Sequence, residues 1–234
     1  MLNPKYFLAM RRMFIFSAFV LLGAHLFAQK DSIRRVAYTP EYKFQEGIYL
    51  NFEQVKNNRP IPKSRILSTV DYNDDQFFDA LLTKPSVSFY DDVGMKQEVK
   101  IKLLWGYSKN GILYVRMDET FSRISYMGNL SHFLANITVS QSQYEDPYFY
   151  NQYYYYRNLN APRNYSTTEM RQFILDFESG KIYDYNTTSM EIVLMRDPEL
   201  HDEYAGLSRK KKEQLKFFYI RKFNERNPLM LPAD

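Results

Sequence analysis

Between residues 99 and 139 the chain presents successive apolar runs at 99–105, 112–117, 121–127 and 133–139, separated by breaks of only a few residues. Parallel strands need a crossover of a dozen or more residues, usually a helix, and these breaks leave no room for one. The segment therefore predicts antiparallel strands joined by tight turns. Val99, Ile101, Leu103 and Trp105 alternate with Lys100, Lys102 and Leu104, the two-residue period of a half-buried strand. Asn110-Gly111 supplies residues that accept positive φ, the strongest short-range hairpin signal in the chain. Phe173, Leu175 and Phe177 repeat the alternation before a turn at Gly180, and an upstream strand at 87–90 precedes a turn at 91–94. Strands at this spacing predict a meander over about residues 64–186.

The flanks read as helical. Asn51 caps a short helix, with Gln54 completing a capping box, and Phe52 and Val55 share its buried face. Asn57, Asn58 and Pro60 end it. In the tail, Thr188 or Ser189 is expected to cap a segment over 190–196, and Pro198 opens a second helix with Glu199, Asp202 and Glu203 near its positive end. Ser208 caps a third helix reaching about Asn224, with Leu215, Phe218, Tyr219, Ile220 and Phe223 as its apolar stripe. The expected fold class is α+β: a curved antiparallel meander sheet with a short N-terminal helix and a C-terminal helical cap.

The N-terminus reads as an address. Lys5, Arg11 and Arg12 precede an apolar run over 13–27, and Ala28 is the expected last residue of a cleaved signal peptide. The rival reading is an uncleaved anchor, which needs about 20 apolar residues, more than the run supplies. Residues 1–28 are thus assigned to a signal peptide, 29–46 to a flexible lead-in, and 47–234 to one domain containing a Tyr-rich loop at 144–166. Cleavage removes three basic residues and no acidic one, so the 31 Lys and Arg fall to 28 against 27 Asp and Glu. Nucleic-acid binding normally shows a strong basic excess, which the mature chain lacks. It also has no transmembrane span once the leader is gone.

The sequences 47–53 (Gly-Ile-Tyr-Leu-Asn-Phe-Glu) and 218–229 (Phe-Tyr-Ile-Arg-Lys-Phe-Asn-Glu-Arg-Asn-Pro-Leu), with Trp105-Gly106 and Asp197-Pro198-Glu199-Leu200, resemble a family of uncharacterised exported proteins of Bacteroidota. The resemblance covers most of residues 42–231. It implies a bacterial envelope location, periplasmic or at the cell surface, and carries over no activity and no site residue.

The available chemistry is narrow. With no cysteine there is no disulfide, thiolate zinc site, cysteine nucleophile or lipid-modified N-terminal cysteine. His132 and His201 are the histidines left after cleavage, outside any His-Glu-x-x-His pattern, and both read as structural. Asp71, Asp74, Asp75 and Asp79 faintly suggest a calcium loop, but Gln76 stands where its glycine belongs and Leu82 where its final glutamate belongs. They read as a polar loop before a helical turn over 77–82. Gly106-Tyr107-Ser108-Lys109-Asn110 comes near a nucleophile elbow, yet it lies between two strands and lacks the second glycine. No phosphate loop or dinucleotide fingerprint occurs, so no metal and no cofactor is expected. A carboxylate pair for sugar hydrolysis stays open, because such pairs are set by separation in space.

The unusual feature is aromatic. Tyr148, Tyr150, Tyr153, Tyr154, Tyr155 and Tyr156 crowd one segment, and with Trp105 they are the candidate rings for stacking on a glycan or anchoring a protein. The competing reading is a long connection between two strands. The tail carries eight basic residues over 209–226 against Glu213 and Glu225. There Lys210, Lys211 and Lys212 are candidate contacts to an anionic surface, unless the block pairs with the acidic stretch 197–203. The expectation is a non-enzymatic envelope protein that binds an envelope protein or a glycan. The alternatives are a carboxylate-based hydrolase of envelope or dietary polysaccharide, and a structural envelope component.

Overall fold

The computed structural model describes residues 34–142 and 164–233, with side chains up to Val139 and again from Ser166. In chain order the first elements are β1 (Arg35–Ala37), β2 (Gly47–Tyr49), α1 (Phe52–Lys56), β3 (Ile61–Pro62), β4 (Ile66–Leu67) and α2 (Phe77–Leu82). Then come β5 (Ser86–Tyr90), β6 (Lys96–Lys100), β7 (Gly106–Lys109), β8 (Ile112–Met117), β9 (Thr120–Tyr126), β10 (Leu130–Ser142), β11 (Asn164–Asp176) and β12 (Ile182–Asp184). The tail holds α3 (Thr187–Leu194), α4 (Pro198–Ala205), α5 (Arg209–Arg226) and β13 (Met230–Pro232). The fold is α+β. Residues 36–231 form one compact unit, described below; in the other, Ala233 N–H donates to the Arg34 carbonyl at 2.7 Å.

The main sheet has eight antiparallel strands in the order β12-β11-β10-β9-β8-β7-β2-β3. From β7 to β12 it is an up-and-down meander, and β4-β5-β6 form a separate sheet inserted between β3 and β7. Asn110 (φ 54) and Gly111 (φ 75) make the β7–β8 turn, both in the positive-φ region that matches the twist of a two-residue hairpin. Tyr49, Leu113, Val115, Phe133, Ala135, Phe173 and Leu175 share one apolar cluster, although four strands separate β2 from β11. The sheet is therefore coiled with this face inside, and Val55 of α1 fills the concavity. On the opposite face, Ile48 and Tyr107 pack with α2 and the small sheet, while Leu130 and Ile174 pack with α3, α4 and α5.

Caps fix the helices where local chemistry dictates. Asn51 Oδ1 accepts from Gln54 N–H at 3.0 Å, and Gln54 Oε1 accepts from Leu50 N–H at 2.6 Å. Asp197 caps α4 with Pro198 at its first position. The α3 cap is Asn186, not Thr188 or Ser189, because its Oδ1 accepts from Ser189 N–H at 2.8 Å. Asn224 of α5 stands in for a strand neighbour: it accepts from Leu130 N–H at 2.7 Å and donates to Leu130 O at 2.8 Å.

Two expectations are corrected. The run 99–105 is not one strand. A 3₁₀ turn, Ile101–Leu103, ends β6 and carries the chain from the small sheet to the main one. The turn shifts the phase of alternation, so Leu104 is buried and Leu103 exposed, the reverse of the periodic reading. The described part of the 29–46 lead-in is packed as well, with Phe44 buried in the concave core and Tyr38 N–H donating to Leu229 O at 2.7 Å.

A Cβ at Gly106 would lie 2.1 Å from the Tyr114 carbonyl oxygen, backbone that the β7–β8 ladder holds in place. Gly106→Ala is expected to cost about 2–3 kcal/mol in urea unfolding. Gly206→Ala, whose Cβ would meet nothing nearer than 3.4 Å, should stay within about 0.5 kcal/mol of the parent. Equal losses would contradict the close approach.

Candidate functional site

Three elements converge on a pocket of about 510 Å³ on the outer face of the sheet. Met170, Arg171 and Gln172 come from β11, Asp184, Tyr185 and Asn186 from the end of β12 and the α3 cap, and Glu213 and Lys216 from α5. Lys216 is the unusual member. It lies on the core-facing side of α5 with Tyr219, Ile220 and Phe223 and is only 6% exposed. A buried ammonium needs partners to offset lost hydration. Lys216 Nζ donates to Glu213 Oε1 and to the Tyr185 carbonyl at 3.1 Å, and it sits 4.4 Å from the Tyr185 ring centroid.

Behind Tyr185 lies His132, buried and edge-on to the Tyr185 ring at 4.8 Å and the Phe217 ring at 5.7 Å. Its Nε2 lies 3.0 Å from Gln172 Oε1, which assigns the proton to Nε2. Burial pushes the imidazole below the ordinary 6.5, against the pull of that hydrogen bond. Burial also raises the Tyr185 phenol, helped by the nearby Glu213 charge. Two exposed apolar side chains adjoin these groups: Met170, which lines the pocket, is 69% exposed, and Leu134 41%. Leu134 lies directly across from Gln172 in the β10–β11 register, which places it on the face that carries His132.

The residues singled out in the sequence fall elsewhere. Trp105 is half-buried against Phe52 at 5.5 Å between ring centroids and serves the concave core. Tyr148, Tyr150, Tyr153, Tyr154, Tyr155 and Tyr156 lie outside the described residues. Lys210 and Lys211 are exposed, whereas Lys212 pairs with Glu191 at 2.7 Å. Ser108 is fully buried and donates to the Phe44 carbonyl at 3.3 Å, a structural hydroxyl. Asp71 and Asp74 accept from Asn73 and Gln76 N–H, each at 2.8 Å, and shape the turn before α2. His201 Nδ1 lies 3.1 Å from Asp202 Oδ1, and no group of three or more potential metal ligands occurs among the described residues. Among those residues no helix is long and apolar enough to cross a membrane.

Sequence reasoning missed Lys216, Tyr185, Gln172 and His132 as neighbours. One signal was present: Lys216 precedes Tyr219, Ile220 and Phe223 at helical spacing, which puts a lysine on the apolar stripe. Comparison with family models, curated proteins and solved structures finds no match.

Two measurements check this geometry. The folded-state pKa of His132 lies below its unfolded value, so between the two values the unfolded chain binds more protons and stability falls as the pH is lowered. The loss begins below about pH 6.5 and ends once the folded value is passed. His132→Phe should flatten that slope, and the His132 ring resonances should titrate below 6.5; a midpoint at or above 6.5 would contradict the burial. For the lysine, Lys216→Met should stay within about 1–2 kcal/mol of the parent, because an apolar chain of similar length replaces a buried ammonium whose carboxylate partner stays in water. Lys216→Ala should lose about 2–3 kcal/mol.

Proposed function

We propose that the chain is exported and works in the cell envelope as a binding module, holding a partner at the Lys216 pocket without turning that partner over. Export is supported by the basic start, apolar run and Ala28 of residues 1–28, and by the resemblance to exported Bacteroidota proteins. Binding is carried by one observation: Met170 and Leu134, both exposed, adjoin a polar pocket lined by Arg171, Asp184, Glu213 and Lys216. Scattered exposed apolar residues are ordinary, but exposed apolar side chains that adjoin a concavity mark an interaction surface. The charges lining the pocket balance, Arg171 and Lys216 against Asp184 and Glu213. Such a lining suits a neutral partner rich in hydroxyls and amides, as a glycan of the envelope is.

The hydrolase alternative draws on the same pocket, where Asp184 and Glu213 supply two carboxylates. Glu213, however, accepts from the Lys216 ammonium, while glycosidic cleavage needs one carboxyl kept protonated. The carboxylates of Glu203 and Asp91 are displaced downward, Glu203 by its hydrogen bond from Lys222 and Asp91 by that from Gln97.

Retention of the purified chain on immobilised envelope glycan is expected to fall about tenfold or more in Met170→Asp, with its melting temperature unchanged. Serine at Tyr153, Tyr154, Tyr155 and Tyr156 tests the second candidate surface in the same assay. Retention untouched by every one of these changes would overturn the reading. Release of reducing sugar that Asp184→Asn abolishes would replace it with the hydrolase.

A further inference from the structure

The side of α5 opposite its core-facing stripe carries a second surface. At about 100° per residue, Lys210, Lys211, Gln214, Phe217, Phe218 and Arg221 fall on that outward side, and all six are exposed. Of the other cations of the helix, Arg209 is exposed at its first position and the remaining four are engaged. Lys212 pairs with Glu191, Lys216 with Glu213, Lys222 with Glu203 at 2.5 Å, and Arg226 with Asp197 at 2.9 Å and Glu199 at 2.7 Å. The acidic residues of α3 and α4 thus neutralise the flanks of α5, and Lys210, Lys211 and Arg221 make no ion pair among the described residues. Two phenyl rings, 38% and 45% exposed, lie between these cations along the helix.

We propose that this outward face of α5 docks the protein on an anionic phospholipid surface. Lys210, Lys211 and Arg221 would meet the headgroup phosphates, and the rings of Phe217 and Phe218 would enter the boundary between headgroups and acyl chains. The charge pattern selects the partner. Three exposed cations on the face that also exposes large rings match a surface that is anionic outside and apolar just beneath. Nucleic acid needs a broader basic field than a chain carrying 31 basic and 27 acidic residues offers once a leader with three basic residues is cleaved. The contact is peripheral, and it is independent of whether the Lys216 pocket holds a glycan.

The test is flotation of the full chain with phosphatidylglycerol-containing vesicles and with pure phosphatidylcholine vesicles. The chain should bind the anionic vesicles, release in high salt, and lose about tenfold or more of that binding in K210E/K211E/R221E. F217S/F218S should weaken it too. Parent and variants share residues 1–28, so their difference reports α5 alone. K210Q/K211Q, which introduces no opposite charge, must shift binding in the same direction if the triple variant folds poorly. Equal binding by parent and charge variants, equal binding to both vesicle types, or preference for single-stranded nucleic acid over anionic vesicles would overturn the proposal.

Discussion

The Leu130–Phe133 end of β10 and the Phe173–Asp176 end of β11 are buried on both faces, and the rest of the molecule is organised by that constraint. Phe133, Phe173 and Leu175 point into the concave core, while Leu130 and Ile174 point into the helical layer. Such a strand pair cannot slip by one residue, because a slip would exchange the contents of two cores at once. It also makes the helical layer obligatory: without α3, α4 and α5, the outer face of these strands would present Leu130 and Ile174 to water. Asn224 secures the union by hydrogen bonding both backbone groups of Leu130, and Arg196 adds an ion pair to Asp176 at 2.8 Å while lying 5.1 Å from the Phe223 ring.

The pocket is a by-product of where that burial stops. β12 pairs with β11 at Phe173, Ile174 and Leu175, Tyr185 N–H adds a bond to the Gln172 carbonyl at 3.0 Å, and α5 meets the sheet at His132 through Phe217. Past these contacts β11 continues through Gln172, Arg171 and Met170, which line the hollow with Glu213 and Lys216 of α5. Lys216 stands at the boundary between covered and uncovered sheet. Its stem is buried with the core residues of α5, and its ammonium is bound by the chain that leaves β12.

What the sequence made legible was local chemistry. Asn110-Gly111, the Asn51 and Gln54 box, and Asp197-Pro198 act over a few residues, and each forms the turn or cap that its side chains dictate. The pairing of Lys222 and Arg226 with the acidic stretch was readable as charge complementarity. The break at Ile101–Leu103 was not readable, because apolar alternation carries on through a 3₁₀ turn that changes sheets. The site was hidden for a different reason. His132, Gln172, Tyr185 and Lys216 are widely spaced along the chain and meet only because the meander and the tail helices fold together. No short motif encodes such a meeting.

Native-state hydrogen exchange tests the shared-wall account most directly. The amides of His132, Phe133, Phe173, Ile174 and Leu175 and those in the middle of α5 should exchange together, only through global unfolding, with one denaturant dependence. Exchange of the α5 amides at a much lower opening free energy than those of β10 and β11 would show the helical layer to be a separable appendage, and the two-sided burial would no longer explain the fold.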